Sequence, residues 1–558
     1  MRRLLIIGVD AGTLDLIEPW ARAGDLPHLA RLLKEGAYGR VQSTLPPSTY
    51  PAWTSFMTGQ NPGRHGLVDF TLREGGRYAV RFASSRDRQS ASLWGILSEA
   101  GRRVAVLGMP ATYPPEAVNG CMVSGFDSPL AWRLNESFFH PRGLHREVIQ
   151  ETGLFPLSAC REDRIGKGWH ERAYQEILKS LEQETRVAGY LLGRETWDCF
   201  CVVFGQTDTV CHHFWKFFDP SSPRYDSEGA RRFGDVIRQV YRRVDSAIGS
   251  LLKKAPDDVT VLIVSDHGAG GTGNQIIHLN AWLAGEGHLT FRKGRVGYRA
   301  LSALKTLGLG YLPRRVQEQV FRAGGGRLAN GLESRLRFGQ IEWAKTRVYS
   351  EELGYFPSLW INLRGREPQG TVEPGREYES LREEIISRLE VLRHPVTGRR
   401  LVERALRREE VYWGPFVDRV PDILLELALD EGYSYSCLRS PARSKGPFVR
   451  SLQRAEGARG QGMNGSHRPE GFFVLSGEGV HPGKCQFTPH LVDFAPTLLA
   501  LLGITPSVGM DGRILEEILS APEPHPVPVA VAGEEAPSAA QGWEGVAFRR
   551  LRDLGYLE

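Results

Sequence analysis

The sequence predicts an α/β fold, with a mainly parallel central sheet and helices packed on both of its faces. Three observations carry that prediction. Continuous apolar runs recur at Leu4–Val9, Cys199–Phe204 and Val259–Ser265, and each reads as a buried strand. Amphipathic stretches alternate with them. At 233–252, apolar residues at 233, 236, 237, 240, 241, 244, 247, 248, 251 and 252 follow helical spacing. Finally, each apolar run is followed by groups able to bind a cation: Asp10, then Asp208 and His212, then Asp266 and His267. Open α/β sheets place their chemistry outside the carboxyl ends of the strands, so these groups can converge in one crevice.

Taken in chain order, Leu4–Val9 is a strand and Leu26–Glu35 a helix. Ser90–Ala100 is a helix stopped by Gly101, and Arg103–Gly108 is the strand that follows. Glu171–Leu192 is a long amphipathic helix leading into Cys199–Phe204. The alternation of strands and helices up to Val259–Ser265 argues for parallel pairing. The glycine-rich run Gly268–Gly273 reads as a mobile loop beside the site, since no phosphate-loop pattern is present.

The character changes after residue 285. Between 287 and 340, eleven Arg and Lys face only Glu318 and Glu333, a local excess of nine positive charges. Interleaved apolar residues make this a basic helical insertion. It is either a solvated helical face, a cap over an anionic substrate, or a surface for peripheral contact with an anionic membrane. Ser358–Leu363 reads as a strand and Tyr378–Leu389 as a helix. The core is expected to resume at Pro421–Leu427 and to continue through Gly471–Ser476 and the helix Asp493–Gly503. Residues 521–542 have linker composition, and Phe548–Leu557 reads as a short docked helix. The expected division is 1–285, first part of the catalytic core; 286–415, inserted helical and mixed cap; 416–520, second part of the core; and 521–558, linker and short C-terminal helix.

At 558 residues the chain is too long for one simple core. A net charge of +5 is small for that length and gives no ground for specific nucleic-acid binding. Seven cysteines, with Cys199 and Cys201 expected to face opposite sides of a strand and so poorly placed to bond, favour unpaired thiols in a reducing compartment. The first apolar stretch stops at Asp10, short of a signal sequence, and no run reaches membrane-spanning length. A cytoplasmic location is the expectation. Oligomeric state is not legible.

The chemistry rests on seven residues. Asp208 and His212 are four apart, so one helical face can direct both to one metal. Asp266-His267-Gly268 follows a buried strand directly, where a carboxylate and an imidazole are costly to bury unless paired or metal-bound. Thr49 lies in Pro46-Pro47-Ser48-Thr49-Tyr50-Pro51-Ala52-Trp53. Thr49 or Ser48 at a helix start can be an N-cap. The same position suits a nucleophile, because helix N-termini attract phosphate.

As an ordered set, Gly8-Val9-Asp10-Ala11-Gly12, Thr49-Tyr50-Pro51, Asp208–His212, Asp266-His267-Gly268 and Gly465-Ser466-His467 resemble the alkaline phosphatase superfamily. Within it they resemble the type I phosphodiesterase/nucleotide pyrophosphatase branch, and the likeness extends to Asp493–Leu499 and Met510–Arg513. The resemblance implies an alkaline-phosphatase-like three-layer sandwich and hydrolysis of a small phosphate ester at two divalent metal ions. It implies one metal on Asp208, His212 and His467. The other would sit on Asp10, Asp266 and His267, with the Thr49 oxygen as a further ligand. Thr49 would then attack phosphorus and form a phosphothreonine that water hydrolyses. Three Asp and three His suit Zn²⁺, with Mn²⁺ as the alternative.

The sequence departs from the family in two respects, one being the long spacing from His267 to His467, where the basic insertion falls and would set the substrate pocket. The family's Asn shortly after the nucleophile is replaced by Ala52, which leaves Ser48, Arg64 and His65 as candidate phosphoryl-oxygen donors. His65 has a core residue as its competing reading. The alternatives for function are a phosphomonoesterase, a phosphoglycerate-mutase-like or sulfatase-like relative, and an inert scaffold that retains the fold. A mutase would use serine, and a sulfatase would carry an arginine after the nucleophile that Thr49-Tyr50-Pro51-Ala52 lacks.

Overall fold

Along the strand Arg3–Val9, side chains alternate between two cores. Leu5, Ile7 and Val9 enter one, and Leu4 and Ile6 enter the other. The first core is closed by the helices Leu14–Arg22, Pro27–Glu35, Trp169–Arg194 and Val236–Leu252. The second is closed by Thr49–Thr58, Leu93–Glu99 and Phe494–Leu501. The result is a three-layer α/β sandwich. Each fully buried aliphatic or aromatic side chain in these layers contributes about 1.5–3 kcal/mol. These features come from a computed structural model, which describes residues 2–125, 135–153, 159–160, 166–292, 327–441, 447–452 and 462–520.

Among the described residues the largest sheet has nine strands. Its order is Gly483–Lys484, Ala37–Gln42, Glu470–Ser476, Val259–Val264, Arg3–Val9, Cys199–Phe204, Val104–Leu107, Gly120–Val123 and Phe139–His140. The five strands from Val259–Val264 to Gly120–Val123 are parallel. Arg3–Val9 lies between Val259–Val264 and Cys199–Phe204, with Gly8 opposite both Val203 and Val264. Three consecutive parallel strands therefore end side by side.

Helix boundaries follow local capping. The predicted helix from Ser90 starts at Leu93, because the Ser92 hydroxyl accepts the Gly95 amide at 3.0 Å. The Pro27–Glu35 helix has no side-chain cap of its own. The buried Asp245 carboxylate on the Val236–Leu252 helix accepts the His28 and Leu29 amides instead, at 3.2 and 2.7 Å. Phe233, read as the start of that long helix, instead ends a separate helix, Ser227–Phe233.

A smaller lobe follows in the chain. The strands Val348–Tyr349, Ser358–Ile361, Ile423–Leu427 and Val402–Arg407 form a four-stranded sheet, and the helix Arg376–Glu390 packs beside it. The stretch 421–427, where the sequence places the return of the core, does not join the nine-stranded sheet. Ile423–Leu427 instead pairs with Ser358–Ile361 and Val402–Arg407. The neighbouring Asp422 explains the choice: its buried carboxylate accepts the Ile361 amide and the Arg366 guanidinium, both at 2.6 Å. An apolar run suits either sheet, and this polar anchor selects one.

The run Gly268–Gly273 is not a loop. It begins the strand Gly268–Ile277, which pairs antiparallel with Gly465–Arg468. A Cβ at Gly268 would lie 2.2 Å from the Glu470 carbonyl oxygen, so glycine here permits close packing of backbones.

Residues 293–326, most of the basic insertion, and the linker and terminal helix within 521–558 lie outside the described residues. The described end of the insertion is the helix Arg327–Phe338, where Arg337 is buried against Glu351 at 2.6 Å. No helix among the described residues is long and apolar enough to cross a membrane. The seven cysteines form no disulfide, and Cys199 and Cys201 do not face opposite sides: two apart on one strand, they share one core.

Candidate active site

The three adjacent strand ends deliver the acidic groups. Asp10 directly follows Arg3–Val9, and Asp266 and His267 follow Val259–Val264. Asp208 and His212 lie four apart on the helix Gln206–Phe218, which follows Cys199–Phe204. His467 comes from far along the chain. The antiparallel register places it opposite Ala269, two residues past His267. The His267 and His467 rings stack with centroids 3.7 Å apart.

The six side chains form one cluster, buried except for the partly exposed His467. Asp208 Oδ1 lies 2.9 Å from His212 Nε2 and 3.4 Å from His467 Nε2. His267 Nε2 lies 3.3 Å from Asp266 Oδ2 and 3.6 Å from Asp10 Oδ1. Two overlapping triads have donor atoms within 4.8 Å of one another: Asp208, His212 and His467, and Asp10, Asp208 and His267. Asp208 belongs to both. The sequence reading had assigned it to one side only.

The backbone selects which ring nitrogen of each imidazole carries a hydrogen. Nδ1 of His212 faces the Gly465 carbonyl at 2.9 Å, Nδ1 of His267 the Gly268 carbonyl at 3.1 Å, and Nδ1 of His467 the Pro47 carbonyl at 2.7 Å. A carbonyl can only accept, so each Nδ1 carries the hydrogen. In the neutral form of such a ring the Nε2 lone pair is the one turned inward. The Nε2 atoms of His212 and His467 lie 3.1 Å apart. Asp266 Oδ2 and His267 Nε2 are buried with no hydrogen bond, close as they are to each other. Lone pairs and carboxylates crowded in this way fit a cation, and the donor set of nitrogen and oxygen suits a divalent transition metal. Burial pushes Asp266 well above the ordinary carboxylate range, and Asp208 adds to the rise. Burial likewise drives His267 well below its ordinary value, with His467 adding to the fall.

Thr49 is the first residue of the Thr49–Thr58 helix and is buried. That helix is tied to both sides of the cluster. Trp53, one turn after Thr49, donates its indole N–H to Asp10 Oδ2 at 3.2 Å. Pro47, two residues before Thr49, accepts from His467. Gly8 makes room for this: a Cβ there would lie 2.7 Å from the Trp53 ring. Ala11 adopts φ +56° and turns its amide toward Asp266 Oδ1 at 3.4 Å. Sequence reasoning missed the roles of Trp53, Pro47 and Ala11. Trp53 alone left a trace, as an indole one helical turn from the nucleophile candidate.

The candidate phosphoryl-oxygen donors separate sharply. Ser48 precedes the helix, is fully buried, and its hydroxyl makes no hydrogen bond, not even as a cap. Arg64 is spent elsewhere, 3.0 Å from Asp511 Oδ1. His65 accepts the Leu67 amide at Nδ1 and meets Ser55 Oγ at Nε2, at 3.2 and 3.1 Å, and burial lowers its pKa to about 3. It is a core residue. Ala52 packs inside the core, so no side chain at that position faces a phosphoryl group.

A fold with this cluster at its strand ends defines a class of metal-dependent phosphoryl-transfer hydrolases. A family model described as type I phosphodiesterase/nucleotide pyrophosphatase matches residues 4–460. The chain belongs to that family, and it is a metal-dependent phosphoric ester hydrolase. His467 lies just beyond the matched span. No curated protein matches the chain. Among solved structures it is similar to phosphonoacetate hydrolase from Sinorhizobium meliloti 1021 in complex with phosphonoacetate, at 15% identity over 89% of this chain and 94% of that one, with a TM-score of 0.50. It is also similar to human ectonucleotide pyrophosphatase/phosphodiesterase 5, at 12% identity over 93% of this chain and 100% of that one, with a TM-score of 0.49. At such identities the likeness concerns the fold.

Proposed function

We propose that the chain hydrolyses small phosphate esters, diesters foremost, by way of a covalent phosphothreonine at Thr49. Asp208, His212 and His467 would hold one divalent cation, and Asp10, Asp266 and His267, with the Thr49 oxygen, a second. Zn²⁺ suits this donor set, with Mn²⁺ as the alternative. When bound, such a pair supplies Lewis-acid stabilisation of the attacking and leaving oxygens.

The chain's own groups do the rest. The Thr49 hydroxyl gives its proton to solvent and its oxygen attacks phosphorus. The bond from phosphorus to the alcohol breaks, and the alcohol leaves with a proton from solvent. Water then attacks the phosphothreonine, releasing the phosphate product and restoring the hydroxyl. The Thr49–Thr58 helix N-terminus favours the anion. Ser48, the one candidate donor with an unspent buried hydroxyl, would hydrogen-bond a phosphoryl oxygen. Trp53 and Pro47 position the Asp10 and His467 side chains.

The single observation that carries this reading is the convergence of three imidazoles, each with Nδ1 on a backbone carbonyl, and three aspartates in one cluster tied to the segment that carries Thr49. The test is Thr49→Ala with bis-p-nitrophenyl phosphate. Turnover should fall on the order of 10³-fold or more while metal content stays near the parent's. Substantial residual turnover would instead assign the attack to Ser48 or to water.

A further inference from the structure

A cavity of about 520 Å³ opens beside His212 and His467 and extends into the smaller lobe. That size suits a drug-sized ligand, which pockets of this kind bury almost completely. Much of its wall away from the cation cluster is apolar, with Leu45, Leu353, Tyr355, Leu425, Leu427 and Leu438 lining it. Glu403, Arg439, Thr272 and Tyr435 also reach the wall, and most of the other charged side chains there are already engaged. Arg337 pairs with Glu351 at 2.6 Å, and Glu426 meets Arg404 at 2.6 Å. Glu352 accepts the Asn280 and Ser440 amides at 2.9 and 2.6 Å. Arg468 donates to the Gly271 and Gly432 carbonyls at 2.9 and 3.0 Å.

We propose that this cavity receives an apolar arm of the substrate, so that the preferred esters are amphiphilic, with an alkyl or aryl group on phosphorus–oxygen rather than a nucleoside. The proposal rests on the phosphate-ester reading and adds the substrate class to it. A sugar or a second phosphate entering the cavity would lose its water against leucines and against charges that have partners already. An alkyl chain in the same place gains from every methylene buried. The lining comes from both the strand-end site and the Ile423–Leu427 strand of the smaller lobe, so the lobe acts as the specificity wall.

The test uses the full-length, metal-loaded enzyme and a series of methyl, butyl and octyl p-nitrophenyl phosphodiesters, beside thymidine 5′-p-nitrophenyl phosphate. kcat/KM should rise up to about fourfold per methylene until the cavity is full. The thymidine ester should do no better than the methyl ester. A flat series, or a thymidine ester that outperforms octyl, overturns the proposal. Calorimetric titration with methyl-, butyl- and octylphosphonate reads the pocket without turnover. Affinity that climbs with chain length supports the proposal, and this holds even if no ester is hydrolysed, an outcome that would sink the hydrolase reading alone. Length-independent affinity overturns it. Leu427→Asp should flatten both series, and a folded variant that keeps the parent's slope counts against the assigned wall.

Discussion

His467 donates its Nδ1–H to the carbonyl oxygen of Pro47 at 2.7 Å, across 420 residues of sequence. One hydrogen bond thus orients a late imidazole against the cluster and fixes the approach of the segment that carries Thr49. His467→Ala should reduce cation content toward one per chain after dialysis and lower the rate by about 10²-fold or more. Metal analysis and a rate assay on the same preparation check this. Parent-like content and rate would remove His467 from the site.

Trp53 should matter more than its place in a core suggests. Its indole N–H is a fixed donor to Asp10 Oδ2. Trp53→Phe keeps an aromatic ring and removes that donor. Cation affinity should weaken by about 10–100-fold, the usual effect of losing a group that orients a ligand. Competition with a chromogenic chelator measures it, and unchanged affinity would make Trp53 a packing residue only.

Ser48 and Arg64 should behave oppositely. Ser48→Ala removes the unspent buried hydroxyl, and kcat/KM should fall by about 10–10²-fold with metal content unchanged. Arg64→Ala breaks a contact with Asp511 and should leave kcat/KM within about twofold. The reverse pattern would return the phosphoryl contact to Arg64.

His65 predicts a pH dependence of folding. Its folded pKa is depressed to about 3, whereas an unfolded histidine titrates near 6.5. Above pH 6.5 neither state binds this proton. Between pH 6.5 and 3 the unfolded state binds it and the native state does not, so stability falls as pH falls. The contribution lost between pH 6.5 and 4.5 is about 2–3 kcal/mol. Denaturant melts of the parent and His65→Gln should show a shallower acid slope in the variant, and parallel slopes would contradict the assignment.

Much of the fold was readable because parallel strands buried on both faces leave unbroken apolar runs, as Leu4–Val9 and Val259–Val264 do. Asp10, Asp208 and Asp266 were readable because each closely follows such a run. His467 was legible only through the resemblance carried by Gly465-Ser466-His467: it reaches the cluster by antiparallel pairing with the Gly268–Ile277 strand, and register is a long-range property. The same pairing turned an expected glycine loop into a strand. The lobe that claims Ile423–Leu427 depended on the buried Asp422 contacts, which local pattern does not reveal. Arg64 and His65 looked functional by chemistry alone, and only their partners Asp511, Ser55 and Leu67 show them spent.

The most direct measurement is anomalous diffraction from crystals of the metal-loaded protein, collected at the metal's absorption edge. The account predicts two peaks, one bounded by Asp208, His212 and His467 and the other by Asp10, Asp266 and His267, both next to Thr49. A single peak, or peaks bound by other side chains, would contradict it.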